Sequence, residues 1–162
     1  MDSASGNFNQ YFRVDENKGI ISGIGGRVVV LNSSAWGSLQ AGMYRVFSSG
    51  ASVILYDMGR TYGRSVAHNL GESRDFNEMW PRLAAIAGWG KFKTKGDLKE
   101  RRLEITVQNC AFCEDDKDQS HGCSFLKGVI DGTTSELYEV VHSNMQCSGT
   151  DNHLCEFEIY AE

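Results

Sequence analysis

Cysteine is the residue type here whose numbers and spacing could do chemistry. Cys110, Cys113, Cys123, Cys147 and Cys155 are the chain's five cysteines, and all lie in the last third of its 162 residues. An odd number of thiols, in a chain that does not open on a secretion signal, points to metal or redox chemistry rather than a disulfide framework. Cys123 falls where a helix should begin, Cys147 where a strand should end, and Cys155 where the next strand should start. Such positions are rigid anchors. Three thiolates held there suit a tetrahedral zinc ion, which takes four nitrogen or sulfur donors. Cys113, from the Cys110-x-x-Cys113 pair, is taken as the fourth ligand. Cys110, His121, His142 and His153 could replace it, and so could Asn144, although a neutral amide oxygen competes poorly with thiolate or imidazole. Four thiolates could also hold iron or an iron–sulfur cluster. A thiol redox pair, or buried thiols acting only as small hydrophobes, are the remaining readings.

The other chemistry-bearing patterns are weaker. Gly23-x-Gly25-Gly26 is followed by a strand-like run, whereas a dinucleotide site needs a helix N-terminus for its pyrophosphate. No Ser-His-Asp order, phosphate loop or His-Glu-x-x-His occurs, and no catalytic residue is assigned. Trp36, Tyr62, Trp80 and Trp89, with Phe47 and Tyr56, could line an apolar pocket, though such residues also fill ordinary cores. Lys91, Lys93, Lys95, Lys99, Arg101 and Arg102 form the one basic stretch and read as a solvated hairpin edge that discourages aggregation. Glu114 to Asp118 reads as a solvated acidic loop.

These residues need a scaffold of ordinary size. The length predicts one domain over 1–162, with 1–9 polar and flexible. Hydrophobic residues make up 41% and charged residues 23%, which argues against disorder. The net charge of −5 gives no reason to expect nucleic acid or an anionic membrane as partner. The longest apolar run, Val28 to Leu31, is strand-sized and far short of a membrane span. The N-terminus lacks the basic and apolar regions of a signal peptide, so the expected location is cytoplasmic. Eighteen glycines against one proline, Pro81, compare with about 11 and 8 at average usage, and indicate tight turns and close backbone approaches.

Along the chain, Tyr11–Asp15 and Lys18–Ser22 read as strands, as does Arg27–Leu31. Asn32 caps a helix whose apolar face should hold Leu39, Met43, Val46 and Phe47. A longer helix runs from Ala51 to about Leu70, with Val53, Ile54, Met58 and Val66 in register, and with Gly59 and Gly63 four apart on a face that could admit another backbone. A Gly71–Ser73 break precedes a third helix over 75–87, which Pro81 could delay to Trp80. A Gly88-Trp-Gly90 turn, a hairpin over 92–107, a helix over 123–137 and strands at 139–143 and 156–160 complete the chain. The order predicts an α+β fold with an antiparallel sheet and several packed helices.

The segment Cys123-Ser-Phe-Leu-Lys-Gly128-Val-Ile-Asp-Gly132, followed by Cys147-x7-Cys155-Glu-Phe-Glu-Ile-Tyr, resembles the vinyl-4-reductase-type, or hydrocarbon-binding, domain. Arg27–Leu31, Ala35-x-Gly37-x-Leu39, Asp57-Met-Gly59-x-x-Tyr62-Gly63 and Gly88-Trp-Gly90 extend the resemblance over about 12–160. That family is similar in fold to TRAPP tethering subunits and haem-based nitric-oxide sensors, and it includes phenol-sensor domains. The resemblance implies a zinc held by three cysteines, falling here on Cys123, Cys147 and Cys155, and by a glutamate whose position is Asn144 here. It further implies a buried site for a small apolar or aromatic ligand and a homodimer that acts through a partner. The function expected is a metal-binding sensor or carrier domain. The alternatives are a redox or metal-dependent accessory to tetrapyrrole vinyl reduction, or a tethering scaffold. No flavin or nicotinamide motif supports the reductase activity.

Overall fold

Helices and strands appear in the expected order in the computed structural model, which describes residues 11–23, 26–70, 76–97, 100–113, 123–137, 140–147 and 154–161. They are β1 (Arg13–Asp15), β2 (Ile20–Gly23), β3 (Gly26–Val28), α1 (Ser33–Phe47), α2 (Gly50–Leu70), α3 (Phe76–Ile86), β4 (Lys91–Asp97), β5 (Arg102–Gln108), α4 (Ser124–Leu137), β6 (Val140–Cys147) and β7 (Cys155–Ala161). Two antiparallel sheets result, a small one ordered β1-β2-β3 and a larger one ordered β4-β5-β7-β6.

Strand alternation gives the larger sheet one dry face. Leu103, Ile105 and Val107 of β5 lie opposite Ile159, Phe157 and Cys155 of β7, and all six are buried. The intervening Arg102, Glu104 and Glu158 face outward, where Arg102 bridges Glu104 at 3.1 Å and Glu158 at 3.0 Å. Lys91, Lys93 and Lys95 are exposed on β4, an edge strand, as the basic stretch suggested.

Leu126, Val129 and Ile130 of α4 join the same core. The other side of α4 crosses α2 at unusually close range, because both helices present glycines four residues apart. A Cβ at Gly59 or Gly63 would fall on the carbonyl oxygens of Phe125 and Val129, and one at Gly128 or Gly132 on those of Tyr56 and Arg60. The Thr133 hydroxyl donates to the Gly63 carbonyl at 3.2 Å across the crossing. The Gly59/Gly63 face is therefore filled from within the chain.

That crossing changes which side of α2 is inside. Ala51, Leu55, Gly59, Gly63 and Ala67 are buried, whereas Val53 is 67% exposed, and Ile54 and Met58 are also exposed. Leu55 apart, small side chains win the interior here because the backbones must approach, and Val53, Ile54 and Met58 turn outward. The apolar face expected for α1 is outward too. Leu39, Val46 and Phe47 are exposed, and the buried position is Gln40. The strand expected to reach Leu31 stops at Val28, leaving Val29, Val30 and Leu31 exposed in the approach to α1. Pro81 lies inside α3 without delaying its start, and its missing N–H removes only one helical hydrogen bond. The break at 71–73 and the acidic loop at 114–118 lie outside the described residues.

Candidate metal centre and aromatic cavity

Three elements bring four thiols together. The turn after β5 supplies Cys110 and Cys113, with the Cys113 N–H donating to the Cys110 carbonyl at 3.1 Å. Cys123 precedes α4, and Cys155 opens β7 on its buried face. All four are at most 4% exposed, and their sulfurs lie within 4.8 Å of one another. Cys155 Sγ is 3.1 Å from Cys123 Sγ and 3.2 Å from Cys113 Sγ. Cys110 Sγ is 3.5 Å from both Cys113 and Cys123. Cys113 and Cys123 are paired as a disulfide, with Cα atoms 6.3 Å apart.

The arrangement can be tested against a metal ion. Zinc–sulfur bonds of about 2.3 Å in a tetrahedron put the sulfurs about 3.8 Å apart. The four non-bonded separations of 3.1 to 3.5 Å need to open by about 0.3–0.7 Å, and the Cys113 and Cys123 sulfurs, once reduced, by more than an ångström. A hydrogen bond from Cys155, and then the N–H groups of Phe112 and Cys113, hold the Cys110 thiol below its ordinary pKa, although burial opposes them. Thiolate character at Cys110 is what a metal requires. The donor set, spacing and burial thus fit one tetrahedral ion. An iron–sulfur cluster, with each thiolate on a different iron, would spread the sulfurs farther than this.

Three of the expected ligands, Cys113, Cys123 and Cys155, are brought together. The backbone of Cys147 pairs with Cys155 in register at the end of β6, while its side chain lies outside what is described. Cys110 completes the described cluster; its signal in the sequence was the two-residue spacing to Cys113. Asn144 is exposed and opposite Glu158, on the face of the sheet away from Cys155, so it is not beside the sulfurs. His121 and His153 lie outside the described residues, as does the side chain of His142.

Beside this cluster is a cavity of about 660 Å³ between the small sheet, α1, α2, α3 and the turns at 88–89 and 111–112. Trp36, Tyr62, Trp80 and Trp89 all line it. Phe112 and Phe125 complete an aromatic wall that sequence reasoning missed. Phe112 packs edge-on against Trp36 at 5.5 Å and Trp89 at 5.3 Å, and lies 5.4 Å from Phe125. Gln40 fixes the wall. In the amide orientation that satisfies both groups, it donates to the Phe112 carbonyl at 3.2 Å and accepts from Trp36 Nε1 at 3.3 Å. Leu39, its apolar neighbour, drew attention to the wrong side of α1.

Searches of protein-family models and of curated proteins find no match to this chain. Solved structures do match. The phenol-responsive sensory domain of the transcription activator PoxR, crystallised with phenol, superposes with a TM-score of 0.74 at 18% identity, covering 99% of this chain and 92% of that one. The fold is similar to that of a phenol-sensing domain. A trafficking protein particle complex subunit 3 from Naegleria fowleri, covalently bound to palmitic acid, gives a TM-score of 0.53 at 14% identity over 80% of this chain and 92% of that chain. The expected α+β architecture and its likeness to sensor and tethering folds therefore hold. No helix among the described residues is long and apolar enough to cross a membrane.

Proposed function

We propose that this chain is a sensor or carrier domain that takes an apolar, aromatic molecule into the cavity beside the cysteine cluster. The observation that carries this reading is the cavity itself, about 660 Å³ in volume and lined by eight aromatic rings, six of them from α1, α2, α3, α4 and two turns and two, Tyr11 and Phe12, from the segment before β1. An apolar cavity of about 150 Å³ already holds one benzene. The volume here favours a ligand larger than a single ring, either fused rings or a ring with an alkyl chain. One side is open to solvent, where the lining residues Val29, Val30 and Leu31 are exposed, so the aromatic wall is the part that buries the ring. Phenol is the ligand of the PoxR structure, and the vinyl-4-reductase-type resemblance supports the same class of guest.

A zinc ion on Cys110, Cys113, Cys123 and Cys155 would tie the 110–113 turn, α4 and β7 together. Bound there, it supplies charge neutralisation and a cross-link rather than a reactive centre. Two copies of the chain would pair through the exposed apolar residues of α1 and α2, notably Val46, Phe47, Val53 and Met58, and pass the binding event to a partner.

Titration with 1-naphthol tests the reading, because Trp36, Trp80 and Trp89 all line the cavity and report by fluorescence. Saturable quenching that weakens in Trp89→Ala and survives in the control Lys93→Ala, exposed on the edge strand β4, is expected. No saturation, or saturation indifferent to Trp89, overturns it. A fatty acid that co-purifies with the chain and does not exchange would favour the scaffold role instead.

A further inference from the structure

Cys113 and Cys123 are asked to do two things that exclude each other. As thiolates they complete the tetrad around an ion; as the disulfide seen here they leave it. Four sulfurs this close and this buried cannot all carry negative charge without a cation. Protonated, the four are inert small hydrophobes; as thiolates they need a metal, and oxidised they hold the bond between Cys113 and Cys123.

We infer that the cluster is a redox switch in which peroxide exchanges the metal for the Cys113–Cys123 disulfide and thereby loosens the aromatic wall of the cavity. This rests on the proposed metal site and cavity. The chemistry balances. The zinc tetrathiolate, one hydrogen peroxide and four protons give Zn²⁺, one disulfide, two thiols and two waters. The sulfurs of Cys113 and Cys123 lose two electrons to the peroxide O–O bond. Cys110 and Cys155 each take up a proton as the ion leaves. A dithiol with zinc reverses the exchange.

The link to the cavity is short. Phe112 lies between Cys110 and Cys113, and Phe125 is two residues after Cys123; both rings form the wall. Ala111, which also lines the cavity, donates to the Trp89 carbonyl at 3.1 Å. With the ion in place, three elements are cross-linked around Phe112. With the disulfide, only Cys113 and Cys123 are joined, and Cys110 and β7 are released from that constraint. Pre-organisation favours ligand binding in the metal form. Because such coupling is reciprocal, the ligand should also slow loss of the ion.

The experiment uses the full chain, reduced and loaded with zinc, then treated with one equivalent of hydrogen peroxide. A metallochromic dye follows zinc release, alkylation with peptide mass spectrometry maps the bond, and 1-naphthol titration reads the cavity in both forms. Expected are stoichiometric release, a Cys113–Cys123 link, recovery with dithiol plus zinc, and at least about fivefold weaker naphthol binding in the oxidised form. Phe112→Leu keeps all thiols and should retain zinc release while shrinking that difference. Zinc retained under peroxide, a different pair, or equal naphthol affinity in the two forms overturns the inference. Reduced chain that takes up no zinc but still binds naphthol removes the metal site and this switch, and leaves the cavity reading intact. Release with the mapped bond but no naphthol binding in either form removes the cavity reading and the coupling.

Discussion

The same chemical change, glycine to alanine, should have opposite signs at two helical positions. At Gly63, in α2, the new methyl would sit against the Val129 carbonyl oxygen, with the Val129 carbonyl carbon and the Thr133 nitrogen each 2.9 Å away. These are backbone atoms of α4 and cannot rotate aside, so the helices must separate. Overpacking costs about 1–3 kcal/mol, and the rigid neighbours put this site near the upper end. The gain from replacing glycine in a helix is about 1 kcal/mol, leaving a net loss of about 2 kcal/mol. For a chain of this length that lowers the melting temperature by about 4–8 °C. At Gly42, in α1, nothing lies within 4 Å of where the new methyl would sit. Only the helical gain of about 0.5–1 kcal/mol remains, raising melting by about 1–4 °C. Thermal unfolding followed by circular dichroism separates the two variants. A Gly63→Ala chain that melts at or above the parent would refute the close α2–α4 crossing.

Asn32→Ala should cost about 1 kcal/mol, because Asn32 Oδ1 accepts from the Ala35 N–H at 2.7 Å at the start of α1; urea unfolding measures it. Asn144→Ala should leave zinc uptake unchanged, whereas Cys110→Ser should weaken it, as read by competition with a chelating dye; the reverse ranking would replace the four-cysteine assignment. Tyr56 should ionise above its ordinary value of 10.0, first because burial disfavours the phenolate and then because the Asp131 carboxylate lies beside it and accepts its hydrogen bond at 2.9 Å. A raised folded-state pKa favours the protonated form, so its stabilising contribution is present below pH 10 and is lost as pH rises through the folded value. Tyr62, through burial, and Tyr160, through its hydrogen bond to Glu158, are raised as well, so absorbance titration near 295 nm should show several late tyrosines, of which one moves down in Asp131→Asn.

Periodicity and punctuation settled much of this protein before any coordinates. Alternation in Leu103–Val107, the Asn32 cap, the Gly88-Trp-Gly90 turn and the placement of Cys123 and Cys155 at the ends of elements were all legible, because each depends on a few neighbouring residues. Gly59 and Gly63 in α2 were legible as a face for a close backbone approach; that Gly128 and Gly132 of α4 fill it was not. Tertiary structure decided what local pattern cannot. Backbone contact across the glycines turned Val53, Ile54 and Met58 of α2 outward. Gln40 was taken into the interior because a hydrogen bond to Phe112 and one from Trp36 await it there. The choice of Cys110 over Asn144 beside the sulfurs follows from strand parity, since Asn144 faces Glu158 on the wet side of the sheet. Sequence supplies which groups exist and which faces they can share. Which of them meet is set by long-range packing, where residues far apart in the chain, such as Cys110 and Cys155, become neighbours only after the sheet and helices close.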